Sequence, residues 1–250
     1  MTPLHAVAIF AAGIVAGTIN TVVGSGTLFT FPVLLGFGYS PVVANVSNTV
    51  GLVPGSAAGA VGYRRELAGQ RARMIPLAVA SILGGVAGAV LLLSLPASAF
   101  GAIVPVFIAI ALVLIVLQPR LSRWLAGRRP PARGRAGAWT ILAVGASGVY
   151  GGYFGAAQGI LNLAVLSLSL DDELQRLNAL KVVLTGLVNL VSGIVFICVA
   201  HVAWAPAGLI AAGSLLGGLL GARAGRRLSP RLMRGVIVVV GIVAIVRLVA

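Results

Sequence analysis

Residues 64–96 read RRELAGQRARMIPLAVASILGGVAGAVLLLSLP. A basic patch is followed by an uncharged run long enough for the roughly 20 residues that a helix needs to cross a bilayer. The same alternation governs the whole chain. Every basic residue except Arg247 falls in one of four patches: 64–73, 120–135, Arg176 with Lys181, and 223–234. Lys and Arg gathered in short loops mark the cytoplasmic side of a polytopic membrane protein. Composition agrees, because 59% hydrophobic residues, 9% charged residues and a mean hydropathy of +1.09 exclude an ordinary soluble domain. The net charge of +14 is accounted for by loops facing anionic lipid, so membrane lipid and not nucleic acid is the expected partner. The single cysteine, Cys198, sits in an apolar run and is read as a packed thiol, with no disulfide or thiolate metal site. Met1–His5 carries no basic residue ahead of its apolar run, which reads as a first spanning helix and not as a cleaved signal.

Ten apolar segments follow from this reading: 4–23, 24–39, 41–63, 74–96, 98–117, 138–156, 157–170, 177–200, 205–222 and 233–249. If all ten cross, the basic connections share the cytoplasmic face and both termini lie outside, in a cell membrane of the bacterial inner-membrane kind. Treating 24–39 and 157–170 as re-entrant hairpins leaves eight crossings. It also moves Arg223, Arg226, Arg227 and Arg231 to the outer face, against the charge bias. These two segments are nonetheless short, and the first contains Pro32, Gly36 and Gly38, so broken helices are expected there. Trp124, Trp139 and Trp204 are expected as interfacial anchors, with His5 and His201 also near the surface.

The two halves resemble each other. Gly17 and Gly24 recur as Gly148 and Gly155; Leu83-Gly84-Gly85 with Gly88-Ala89 recurs as Leu216-Gly217-Gly218 with Gly221-Ala222. Five segments per half is an odd number, so the second copy enters the membrane from the opposite face. The expected fold is therefore all-α: a polytopic membrane helix bundle of two inverted repeats of five segments, the second segment of each repeat short or broken. Residues 1–117 form the first transmembrane repeat, 118–137 a basic cytoplasmic linker and 138–250 the second repeat. Inverted repeats with interrupted segments at matching positions are a plan of secondary transporters, whose site lies where the interruptions meet. The small-residue ridges, such as Gly84, Gly85 and Gly88, are read as helix-packing surfaces.

Residues 17–32, with Gly24-Ser25-Gly26 and Phe31-Pro32, and residues 41–49, with Ala44-Asn45-Val46-Ser47-Asn48-Thr49, resemble the first signature of the sulfite exporter TauE/SafE family. Residues 148–159 and Asn178-Ala179-Leu180-Lys181 are similar to its second signature. The resemblance implies transport of small sulfur-containing or related organic anions, such as sulfite, sulfonates including sulfoacetate, and thiosulfate. An anion at membrane depth needs hydrogen-bond donors in place of water, and broken helix ends supply them. Gly24, Ser25, Gly26 and Thr27, with Gly155, Gln158 and Gly159, are the candidate ends, and Asn20 and Thr21 lie one turn away. Polar side chains within apolar runs are costly in lipid unless paired or functional, which adds Asn45, Ser47, Asn48, Thr49 and Asn178. Interhelical hydrogen bonding is the competing role for these residues. Lys181 either attracts an anion or snorkels to the headgroups.

Glu66, Asp171, Asp172 and Glu173 are the only acidic residues and all fall in connections. No carboxylate is thus expected within the spans as a proton or sodium carrier. An inside-negative potential drives a monovalent anion outward by about 2.3 kcal/mol per 100 mV, so export by alternating access needs no coupled ion. An anion channel and a non-transporting scaffold are the alternatives. No catalytic constellation, metal site or cofactor is expected, and a homodimer is left open.

Overall fold

The structure, a computed structural model, describes residues 1–126, 136–224 and 230–249, and all its regular elements are helices. In chain order they are α1 (Pro3–Val22), α2 (Thr27–Gly36), α3 (Pro41–Gly62), α4 (Arg71–Ser94), α5 (Ala97–Ala126), α6 (Ala138–Tyr153), α7 (Gln158–Ser169), α8 (Leu174–Val199), α9 (Trp204–Ala224) and α10 (Pro230–Val249). Each expected segment is one helix. The long helices start up to three residues earlier than the apolar runs because their first turns use the flanking basic and polar residues: Arg71 and Arg73 lie in the first turn of α4. Among the described residues five helices, α1, α4, α5, α8 and α9, are long and apolar enough to cross a membrane. At 1.5 Å per residue α2 and α7 reach only about 15–18 Å, well short of a hydrocarbon core of about 30 Å. Most of the expected linker and of the last basic patch, and the side chains of Trp124 and Arg247, lie outside the described residues.

Both short helices are entered through a sharp break. α1 ends at Val22, and Gly24 adopts φ +91°; α6 ends at Tyr153, and Gly155 adopts φ +77°. This left-handed region favours glycine because it brings a Cβ against the backbone carbonyl. Of the glycines that recur in the sequence, Gly24 and Gly155 are thus the residues that turn the chain. Ala157, at the start of α7, has φ +60° and accepts that strain without being a glycine.

The principal helix pairs recur when the halves are exchanged. α1 packs on α9 as α6 packs on α4, and α3 on α9 as α8 on α4. α2 touches α1 and α10, as α7 touches α6 and α5; α3 and α8 meet each other at the centre. The closest pairs therefore join one half to the other. Small residues make this possible, since a Cβ at Gly88 of α4 would strike the Val149 carbonyl of α6, and one at Gly217 of α9 the Ile14 carbonyl of α1. In lipid, where burying apolar surface between helices gains little, such close backbone contact supplies much of the cohesion.

The main core cluster surrounds the two breaks and includes Ile19, Phe31, Phe100, Phe154 and Ile160. The Phe154 ring stands edge-on to Phe31 at 5.2 Å between centroids. A second cluster, with Leu77, Val144, Leu166, Leu177 and Leu184, fills the space between α4, α6, α7 and α8. Large apolar side chains such as Leu83, Val90, Ile194 and Trp204 cover the exterior, as a lipid-facing surface requires. Cys198 is on that exterior and not packed inside, because the buried face of α8 there is taken by Ser192, Gly193 and Phe196. Trp139, Trp204 and His201 are exposed, and His5 stacks on Phe37 at 4.3 Å.

Candidate anion site at the paired helix breaks

The two breaks touch. The Gly159 N–H donates to the Gly24 carbonyl at 3.0 Å, and a Cβ on Gly24 would sit 2.6 Å from the Gly159 Cα. Neither position has room for a side chain. The starts of α2 and α7, Ser25 to Thr27 and Gln158 to Gly159, are thereby buried in the centre of the protein.

Side chains from the opposite half close the two helix ends. The last carbonyls of a helix have no partners within it, and inside a membrane water cannot serve. At the end of α1 the Ile19 carbonyl accepts from the Val23 and Gly24 N–H groups. The Thr21 carbonyl accepts from Asn178 Nδ2 at 3.4 Å and from Lys181 Nζ at 3.2 Å, and the Asn20 carbonyl from Lys181 at 3.3 Å. At the end of α6 the Tyr153 carbonyl accepts from Asn45 Nδ2 at 3.0 Å. Asn45 and Asn178 hold the same place in the two halves and perform the same service for the other half's broken helix. In each the amide nitrogen is committed to a carbonyl, and the Oδ1 atom is left without a partner.

Lys181 is fully buried. Its ammonium does not reach for headgroups but lies on the carbonyl end of α1, where the helix dipole favours a cation. Two of its three donors are used there, and no carboxylate among the described residues is within ion-pair distance of it. Asn20 also donates to Ser56 Oγ at 3.3 Å, and Gly26 lies against Ala16 and Asn20, so the start of α2 and the Lys181 ammonium bracket one turn of α1.

The remaining expected residues divide. Asn48 gives its Nδ2 to Thr27 Oγ1 at 3.3 Å and receives the Thr30 hydroxyl on Oδ1, closing a polar knot between α2 and α3. Ser25 Oγ and Gln158 Nε2 are buried beside the breaks without partners, the Gln158 amide lying over Gly151. Ser47 and Thr49 are not brought to the site by their hydroxyls. Ser47 Oγ accepts the Ala203 N–H at 2.9 Å ahead of α9, and the Thr49 hydroxyl donates within its own helix to the Asn45 carbonyl at 2.9 Å. Thr30, Tyr150 and Tyr153 belong to the neighbourhood and were not expected, and Asn162 is buried one turn past Gln158. Thr30 was legible as a second hydroxyl three residues past Thr27, whereas the two tyrosines gave no sequence signal beyond being aromatic. Among the described residues no three His, Cys, Asp or Glu side chains come together as metal ligands would.

One further polar cluster ties the halves together away from the breaks. Asp172, between α7 and α8, pairs with Arg73 of α4 and accepts Arg176 Nε at 3.0 Å. Gln70 donates to the Glu66 carbonyl at 2.7 Å and to the Arg176 carbonyl at 3.0 Å. Burial opposes the charge of Asp172, but hydrogen bonds from Arg73, Arg176 and the Glu173 N–H outweigh it and hold the carboxyl below the usual carboxylate range. A groove of about 300 Å³ between α3, α8 and α9, lined by Val50, Leu190, Ile194 and Trp204, is apolar and lies apart from the breaks.

A bundle of ten helices with two broken segments meeting glycine to glycine in an apolar exterior is the build of a polytopic membrane transporter. The chain matches the family described as Sulfite exporter TauE/SafE over residues 9–248, and it belongs to that family. It is similar to the probable membrane transporter protein YfcA of Escherichia coli K12, at 26% identity over 97% of this chain and 89% of that protein. A probable membrane transporter protein of a Sinorhizobium species, ORF9, is 27% identical over 97% of this chain and 91% of its own length. One from Haemophilus influenzae is 27% identical over 92% and 89%. No solved structure gives a significant match. The chain is accordingly a membrane transporter, in a family of transporters and not of enzymes.

Proposed function

We propose that this protein exports small sulfur-containing or organic anions, such as sulfite, sulfonates including sulfoacetate, and thiosulfate, by alternating access at the paired helix breaks. The observation that carries the reading is the Gly24–Gly159 contact, where both interrupted segments meet with buried, unpartnered polar atoms beside them. Helix starts and amide donors replace the hydration shell of an anion, and the Lys181 ammonium supplies the counter-charge. The half-exchange pattern of helix pairs and the reciprocal bonds of Asn45 and Asn178 support two repeats of inverted orientation. On that orientation both termini face the outside of a bacterial inner membrane. The polar atoms at the breaks are sealed within the protein, which speaks against a permanently open pore.

Charge movement tests the reading. Sulfite, sulfoacetate or thiosulfate flux through reconstituted liposomes should saturate with concentration and accelerate when the potential drives anions outward. Flux of all three that neither saturates nor responds to voltage would sink the proposal.

A further inference from the structure

Resting on the anion-transport reading, we propose that Asn162 is a specificity-determining residue that recognises a hydrogen-bond donor, a hydroxyl or an amide, carried by the substrate within about one helical turn of its anionic group. The buried residues of α7 include the stripe Gln158, Asn162, Leu166, each four residues from the next. It begins at the break and runs into the apolar cluster of Leu77, Leu177 and Leu180. Asn162 is fully buried, and neither its Nδ2 nor its Oδ1 has a partner. Turning the amide over changes nothing, because one donor and one acceptor are unpaired either way. One turn earlier, Gln158 Nε2 is also unpartnered.

The first half shows what a purely structural solution looks like. There the polar residues of α2, Thr27 and Thr30, are satisfied by Asn48 of α3. Aligning Asn45-Val46-Ser47-Asn48 with Asn178-Ala179-Leu180-Lys181 puts Lys181 at the place of Asn48. Lys181 turns instead to the carbonyls of α1, and no hydrogen bond from α8 reaches Gln158 Nε2 or either amide atom of Asn162. A polar residue that glues helices must have a partner on another helix, and Asn162 has none. An unpaired buried amide is costly, and a ligand that arrives and pairs with it removes that cost.

The chemistry of the pair then selects the ligand. A bare oxyanion carries only acceptors: it satisfies Gln158 Nε2 and Asn162 Nδ2 but leaves Asn162 Oδ1 as it was. A substrate bearing a hydroxyl or amide beside its anionic group satisfies both atoms of Asn162.

Two sulfonates of equal charge that differ by one hydroxyl, 2-hydroxyethanesulfonate and ethanesulfonate, test this on the purified full-length protein. Titrations read as thermal stabilisation in detergent should show the hydroxylated compound binding roughly tenfold tighter or more in the wild type. In Asn162→Leu both sulfonates should bind more weakly, since each loses the Asn162 Nδ2 donor, and the ratio of their affinities should fall towards one; if that variant does not fold, Asn162→Ala reads the same ratio. A merely structural asparagine would alter stability and leave the ratio unchanged. Equal binding of the two sulfonates by the wild type, or an undiminished preference in the variants, overturns the role of Asn162 alone. If sulfite and both sulfonates fail to bind and fail to move through liposomes, the anion-transport reading falls and this inference with it.

Discussion

Gly24 meets two demands at once. Its φ of +91° is strained for any other residue, and the Gly159 backbone occupies the place of its Cβ. Gly38 separates the two effects, since it has φ +86° and nothing lies within 4 Å of the place a Cβ would take. Gly38→Ala should therefore cost only the conformational strain, about 1 kcal/mol, while Gly24→Ala adds the collision and should cost about 3 kcal/mol or more. Unfolding of both variants in detergent checks this, and equal losses would mean that the contact with Gly159 contributes nothing. At this scale the sequence was informative about backbone and less so about side chains. Gly24 and Gly155 stood out by recurrence, because the backbone conformation they permit is a local property. The place of Lys181 did not, because an ammonium five residues past Arg176 reads equally as one that attracts an anion or one that snorkels to the headgroups. Only the position of the end of α1, fixed by long-range packing, decides between them. The contact of Ser47 is hidden for the same reason: its hydroxyl serves the start of α9, which no local pattern places beside it.

Among the elements, the end of α1 shows how a broken helix survives in a low-dielectric interior. The Thr21 carbonyl has two donors, Asn178 and Lys181. Asn178→Leu or Lys181→Met alone leaves it one, and the loss of Lys181 is partly offset because a buried charge disappears with it. Both together leave the carbonyl bare. The double variant should lose about 1–3 kcal/mol beyond the sum of the singles, measured as a double-mutant cycle of unfolding. Strict additivity would show that the two side chains do not share that acceptor. The junction of α7 and α8 gives a second element-scale expectation. The Asp172 carboxyl is held below its usual range, so its contribution to stability is complete above the unfolded-chain value of about 3.9. It is lost as the pH falls through the lower folded value, because the unfolded chain then binds the proton more readily. Unfolding midpoints followed down from about pH 6 should fall more steeply in the wild type than in Asp172→Asn; parallel curves would remove Asp172 from the account.

For the molecule as a whole, the charge pattern and apolar runs announced ten helices, two of them short, since crossing a bilayer imposes length and apolarity on each segment independently. What the sequence did not reveal is how the halves are interwoven. Reading 1–117 and 138–250 as successive repeats suggests two bundles side by side, yet α1 lies on α9 and α4 on α6, with glycine ridges bringing their backbones together. Pairing between distant helices depends on matching small residues across the whole chain, a relation that segment-by-segment reading does not capture. Within either half the contacts are confined to α1, α2 and α3, or α6, α7 and α8, and to looser ones such as α3 with α5. Each half taken alone would thus expose its glycine ridges and, at Asn178 or Asn45, lose the helix end that the side chain closes. A chain cut between Ala126 and Ala136 should therefore fail to give a stable product when either fragment is produced alone. Produced together, the fragments should copurify and unfold in one transition. Two fragments that fold separately, each with its own cooperative unfolding, would show that the glycine-lined seams between the halves are dispensable.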